Sequence, residues 1–128
     1  MTADEYQKKA HSFSFYPKPI IHNADGTCDE NGTCTVFNEV DYVYPALALS
    51  EEAGEVAGKY AKAVRDCNGR IDEKRRIEIK KELGDVMWFV AELSTLLDFT
   101  LEEVMAGNIE KLQSRKERGV LGGSGDNR

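Results

Sequence analysis

An all-α helical bundle is the architecture this sequence predicts, and three observations carry the prediction. Apolar residues recur in steps of three and four along two long segments, near residues 44–67 and 72–97. Thr followed three positions on by Glu, the reciprocal capping pattern of a helix start, stands at Thr2–Glu5 and again at Thr100–Glu103. Gly69 and Gly119 stand just beyond periodic segments, where a helix is commonly ended.

A short first helix is expected from Thr2 to Ser12, and Pro17 and Pro19 then exclude its continuation. Between Ile20 and Asn38 the chain carries turn chemistry (Asn23-Ala24-Asp25-Gly26 and Asn31-Gly32) with a β-prone piece, Cys34-Thr35-Val36-Phe37. A short turn-rich or hairpin insertion near residues 20–38 is the reading of this segment. The second helix should begin near Tyr44, with Pro45 in its first turn, and end near Cys67. Leu49, Ala53, Val56, Tyr60 and Val64 mark its core stripe, while Ala46, Gly54, Ala57, Gly58 and Ala61 allow close helix approach. The third helix, from about Asp72 to Leu97, should bury Ile79, Leu83, Val86, Val90, Leu93 and Leu97. The fourth runs from the Thr100 cap to about Arg118. Residues 1–118 then form one domain, followed by a Gly-rich tail over 119–128.

At 128 residues the chain is one domain, small for an enclosed site, and bundles of this length often complete their core by dimerisation. A homodimer or homotetramer is expected. The net charge of −6 argues against a nucleic-acid polymer as partner. No apolar run approaches the roughly 20 residues of a membrane helix, and Met1-Thr2-Ala3-Asp4-Glu5 has no signal-peptide character. A cytoplasmic protein without a membrane partner is the expectation, and three cysteines make a poor disulfide framework.

The chemistry is concentrated in four carboxylates at matched spacing: Glu52 with Glu55, and Glu82 with Asp85. Residues three apart share a helix face, so each segment presents a two-carboxylate claw. Two facing claws suit hard, oxygen-seeking cations such as Mg²⁺ or Mn²⁺. The plainer alternative is a solvated face with ion pairs to Lys59, Lys62 or Lys81. For one Glu that alternative is preferred; for four carboxylates beside apolar stripes the metal reading is, because such groups at a helix seam are costly unless paired or metal-bound.

Glu51-Glu52-Ala53-Gly54-Glu55 followed by Glu82-Leu83-Gly84-Asp85 resembles the EExxE…ExxD signature of MazG-like nucleotide pyrophosphohydrolases. The resemblance covers about Tyr44 to Arg118 and includes Asn108-Ile109-Glu110-Lys111. It implies an all-α fold, Mg²⁺ (Mn²⁺ as a substitute) bound by Glu52, Glu55, Glu82 and Asp85, and Glu51 as an assisting residue or base. It further implies hydrolysis of a nucleoside triphosphate, NTP or dNTP, to monophosphate and pyrophosphate by water activated at the metal. An anionic protein binds a polyphosphate only with cations between the two, so this activity requires the metal. Lys59, Asn108, Lys111 and Arg115 are the candidate substrate-binding residues, Lys111 and Arg115 sharing a face as a pair four apart. In the plainer reading those two complement a helix C-terminus.

Several residues remain between readings. Glu92, seven positions beyond Asp85, is a remote site residue or, by preference, a surface acid. Trp88 is assigned to packing, and base recognition is sought near Phe15, Tyr16 and Phe37. For Cys28 and Cys34, with His22 nearby, ordinary thiols are preferred, a reversible Cys28–Cys34 disulfide comes second and a zinc site last. A di-iron bundle needs Glu-x-x-His motifs, which a chain with only His11 and His22 does not supply. The rival that survives is a non-catalytic helical module for nucleotide binding or assembly.

Overall fold

The computed structural model describes residues 1–14 and 39–122. The proposed insertion near residues 20–38, with His22, Cys28, Cys34, Phe15, Tyr16 and Phe37, lies outside these residues, as does the tail beyond Gly122. Four helices and no strand make up the described chain: α1 (Ala3–His11), α2 (Glu39–Cys67), α3 (Glu73–Leu96) and α4 (Leu101–Glu117). The all-α expectation holds.

Local chemistry sets the ends. Thr2 and Thr100 are the N-caps of α1 and α4, and both capping boxes form, Glu5 and Glu103 reaching back to the cap backbone. Those hydrogen bonds to Thr100 hold the Glu103 carboxyl below its usual range. Asp72 caps α3 by accepting from the Arg75 amide at 2.9 Å. Asn68 and Gly69 take left-handed conformations after α2, and the Gly69 amide returns to the Ala63 carbonyl at 3.0 Å, closing the last turn. Gly119, at φ 69°, does the same work after α4.

One boundary differs from expectation. α2 begins at Glu39, not near Tyr44, so Pro45 stands inside the helix and not in its first turn. Proline removes one backbone donor from the ladder, but the Pro45 ring is fully buried. Burial of an apolar ring offsets the missing bond, a tertiary term that helix-start rules do not contain.

α3 is the central element: α1, α2 and α4 all pack on it, α1 also touches α4, and α4 makes no contact with α2. Besides Pro45, the buried apolar side chains among the described residues are few and mostly small, namely Ala10, Ala48, Ala63, Ile79, Phe89, Ala91 and Leu101. The predicted stripes are only partly covered. Ile79 is buried and Leu49, Val56, Val86, Val90 and Leu93 are half-buried, but Ala53, Tyr60, Val64, Leu83 and Leu97 are exposed. Close helix approach at the small residues of α2 is not made either. Ala46, Gly54, Ala57 and Ala61 are exposed, and a methyl group added at Gly54 or Gly58 would meet nothing within 4 Å. The reason is geometric: among the described helices α2 has one neighbour, α3, and its remaining faces meet no other described helix.

Candidate metal centre and its aromatic cleft

α2 and α3 lie side by side, and their contact brings part of each acidic claw together. One carboxylate oxygen each from Glu52, Glu82 and Asp85 lies within 4.8 Å of the others. All three donors are hard oxygens, a set suited to Mg²⁺ or Mn²⁺. The mutual repulsion is felt at Glu52. Desolvation first, then the charges of Asp85, Glu55, Glu51 and Glu82, push its carboxyl above the ordinary range. A divalent cation among these oxygens would relieve that repulsion.

The other predicted site residues fall in different places. Glu51 and Glu55 are exposed and stand outside the three-oxygen group, though both charges reach Glu52. Lys59 is not a free phosphate ligand. Its ammonium pairs with Glu82 at 3.1 Å and Glu78 at 3.7 Å, and the hydrogen bond to Glu82 raises its pKa. The ion-pair alternative is thus realised at one of the carboxylates. Asn108, Lys111 and Arg115 ride on α4, which packs on α1 and α3 only. The pair expected to bind substrate from one face is divided, for Lys111 is exposed while Arg115 is 5% exposed.

A cleft of about 440 Å³ opens beside the carboxylates, lined by Phe13, Tyr44, Glu52, Asp85, Trp88 and Phe89. Trp88 and Phe89 meet edge to face at 4.6 Å, and Tyr44 meets Phe89 at 6.3 Å. Trp88 packs as expected, half-buried against the core, with its indole N–H donating to the Ala10 carbonyl at 3.0 Å. Phe13 and Tyr44 were missed as site residues. They belong to different helical regions, and no spacing rule connects them to Asp85. Tyr6 of α1 was missed too: burial, then the Asp85 charge, raises its phenol pKa.

Glu92 overturns its assignment as a surface acid. It is completely buried. His11 Nδ1 approaches its two oxygens at 3.1 and 3.3 Å, and the Ser14 hydroxyl donates to it. A buried carboxylate on a core helix is recognisable only once its partners are, and these come from the far end of the sequence.

A family model for the MazG nucleotide pyrophosphohydrolase domain matches residues 45–120, the span that carries both acidic claws and α4. The chain belongs to the MazG family. Its MazG domain therefore has a pyrophosphohydrolase-type hydrolase as its family background. The Gene 37 protein of Mycobacterium phage L5 is 42% identical over 128 residues, covering all of both chains. The uncharacterized protein YvdC of Bacillus subtilis (strain 168) is 37% identical over 75 residues, covering 54% of this chain and 70% of that one. No solved structure matches the chain. Among the described residues, no helix is long and apolar enough to cross a membrane.

The raised Glu52 pKa has a consequence for acid titration. A carboxyl must lose its proton to bind a cation, so were Glu52 to hold Mn²⁺, the affinity should begin to fall at a higher pH than an ordinary glutamate would give. The sign for stability is the reverse in the metal-free protein. A carboxyl whose pKa rises on folding holds its proton more tightly in the native chain, so metal-free stability declines as pH rises through the interval from its unfolded to its folded pKa. Glu52→Gln should remove that decline. Chemical denaturation of the EDTA-treated chain across mildly acidic pH measures it, and an identical profile in the variant would contradict the assignment to Glu52.

Proposed function

We propose that this chain hydrolyses nucleoside triphosphates, ribo or deoxyribo, to the monophosphate and pyrophosphate, with Glu52, Glu82 and Asp85 holding Mg²⁺ or Mn²⁺. The observation that carries the reading is the convergence of three carboxylate oxygens within 4.8 Å beside an aromatic-lined cleft. When bound, the metal supplies neutralisation of triphosphate charge and acidification of a water. The attack position, α-phosphorus, follows the family. Water forms the new O–P bond there, the α–β bridge breaks, and pyrophosphate leaves.

The chain's residues have distinct parts in this scheme. Glu52 and Asp85 connect the cation site to the cleft, since both line it. Glu55, one turn beyond Glu52, is the proposed fourth ligand, and Glu51 the proposed base. Lys59 neutralises Glu82; a cation bound there would take over that role and free the ammonium for a phosphate oxygen. The aromatic walls offer a π-face to a base, while Asn108, Lys111 and Arg115 remain the proposed substrate-binding residues of α4. We take residues 1–118 as the catalytic domain.

We further propose a homodimer or homotetramer. A core made mainly of alanines encloses little apolar area, and large side chains stay exposed on three helices, among them Leu47, Val64, Leu83, Met87 and Ile109. Exposed apolar surface on that scale is characteristic of an interaction face.

The activity is tested by incubating the full chain with each common NTP and dNTP, with Mg²⁺ and with EDTA, and separating the products. Monophosphate and pyrophosphate should appear with Mg²⁺ and vanish with EDTA. Diphosphate plus phosphate would keep the metal site and overturn the attack position. Metal-independent binding without turnover would favour a binding module.

A further inference from the structure

Glu92 is the most enclosed charged side chain of the described residues, with no exposed surface at all. Removing a carboxylate from water is costly, and the cost is offset only by well-placed donors. Around it on α3 are Ala91 and Val90, which pack in the apolar cluster with Ala10 and Leu101. An apolar residue at position 92 would also hold α1 to α3. What it would not do is select the residues that follow α1.

Glu92 makes that selection. His11, the last residue of α1, and Ser14, three positions further, both turn their side chains onto its carboxylate. Phe13 lies between them and is a wall of the carboxylate-bearing cleft. It is 69% exposed, so core burial does not determine where it sits. Its backbone amide bonds to the Ala10 carbonyl at 3.1 Å, the same oxygen that accepts the Trp88 indole N–H at 3.0 Å. Two walls of the cleft, Phe13 and Trp88, therefore meet at one carbonyl, immediately beside the residues tied to Glu92.

We propose that Glu92 is a positioning residue: through His11 and Ser14 it fixes the end of α1 and so holds Phe13 as a wall of the substrate cleft. The inference rests on the proposed function, in which a nucleotide occupies that cleft. It predicts a selective effect. Loosening the tie weakens nucleotide binding, while the cation site, built on α2 and α3, is unaffected.

The experiment uses the full chain and four variants: Ser14→Ala, His11→Ala, Glu92→Gln and Glu92→Ala. Trp88 is the only tryptophan, so its emission and acrylamide quenching report the tie directly. Affinity for the non-hydrolysable α,β-imido analogue of the preferred nucleotide, Mn²⁺ affinity by EPR, and kcat with KM complete the set. For Ser14→Ala and His11→Ala, nucleotide Kd and KM should rise about tenfold with kcat within about twofold. Mn²⁺ affinity should be unchanged and Trp88 more accessible to quencher.

Glu92→Gln keeps an oxygen to accept from Ser14 and should stay near wild type, whereas Glu92→Ala should show the full effect. Because a cavity at position 92 threatens folding itself, the decisive variants are the two on the exposed side, where His11 is half in solvent. Wild-type nucleotide affinity in both would overturn the positioning role, even if Trp88 emission moved. Equal losses of Mn²⁺ and nucleotide affinity would overturn it also. A wild-type chain that binds no nucleotide at all would instead refute the proposed function, and the role of Glu92 in it.

Discussion

Asp85→Asn should reduce turnover by about 10³-fold or more while leaving the helices intact. Asp85 is exposed, so the amide costs no packing, and the change in shape is minimal. What it removes is one of three convergent oxygen charges and the second largest cause of the raised Glu52 pKa. Mn²⁺ affinity should fall together with kcat/KM, and the Glu52 carboxyl should return toward its ordinary range. Glu55→Gln is the informative companion. Glu55 stands outside the three-oxygen group, so loss of a comparable size there would restore the four-ligand set implied by the family signature. Circular dichroism must show unchanged helical content in both. Turnover of Asp85→Asn above about a tenth of wild type would remove Asp85 from the metal site.

In the proposed assembly, Val64→Asp should break the contact between copies and lower the chain's stability. Val64 is 67% exposed in the single chain. Substitutions at such positions normally change stability by about 0.5 kcal/mol or less. If a second copy covers α2, the same change buries an unpaired charge and should cost about 2 kcal/mol or more. The two cases separate in one measurement: urea unfolding at several protein concentrations, alongside light scattering. The wild type should unfold at a midpoint that rises with concentration, and the variant should scatter as a monomer. A wild type that is monomeric at all concentrations would refute the shared-core assembly.

The legible part of this protein was whatever is encoded between near neighbours. Caps at Thr2 and Thr100 and the stop at Gly119 depend on residues within one turn, and the structure has them where spacing placed them. The claw on α3 is legible for the same reason: Glu82 and Asp85 share a face whatever that face meets. Less legible was which claw members converge. Glu52 joins the group and Glu55 does not, a difference set by how α2 rolls against α3 and not by any repeat in the chain. Lys59 shows the same limit. Its position one turn after Glu55 suggested a phosphate ligand, but the proximity of α3 gives it Glu82 and Glu78 as partners.

By itself, then, the sequence determined an all-α chain with capped helices and an acidic signature on two of them, which follow from covalent spacing and helical periodicity. The same signature carries the resemblance to the MazG family that the family model bears out. Only the tertiary structure decided that Glu92 is buried, that His11 reaches it across 81 positions, and that Phe13 and Tyr44 join Asp85 around one cleft. Those facts depend on which sides of four helices dock. A three-to-four repeat marks the apolar side of a helix, but whether another helix covers that side is set by long-range packing, and among the described residues much of it is left uncovered.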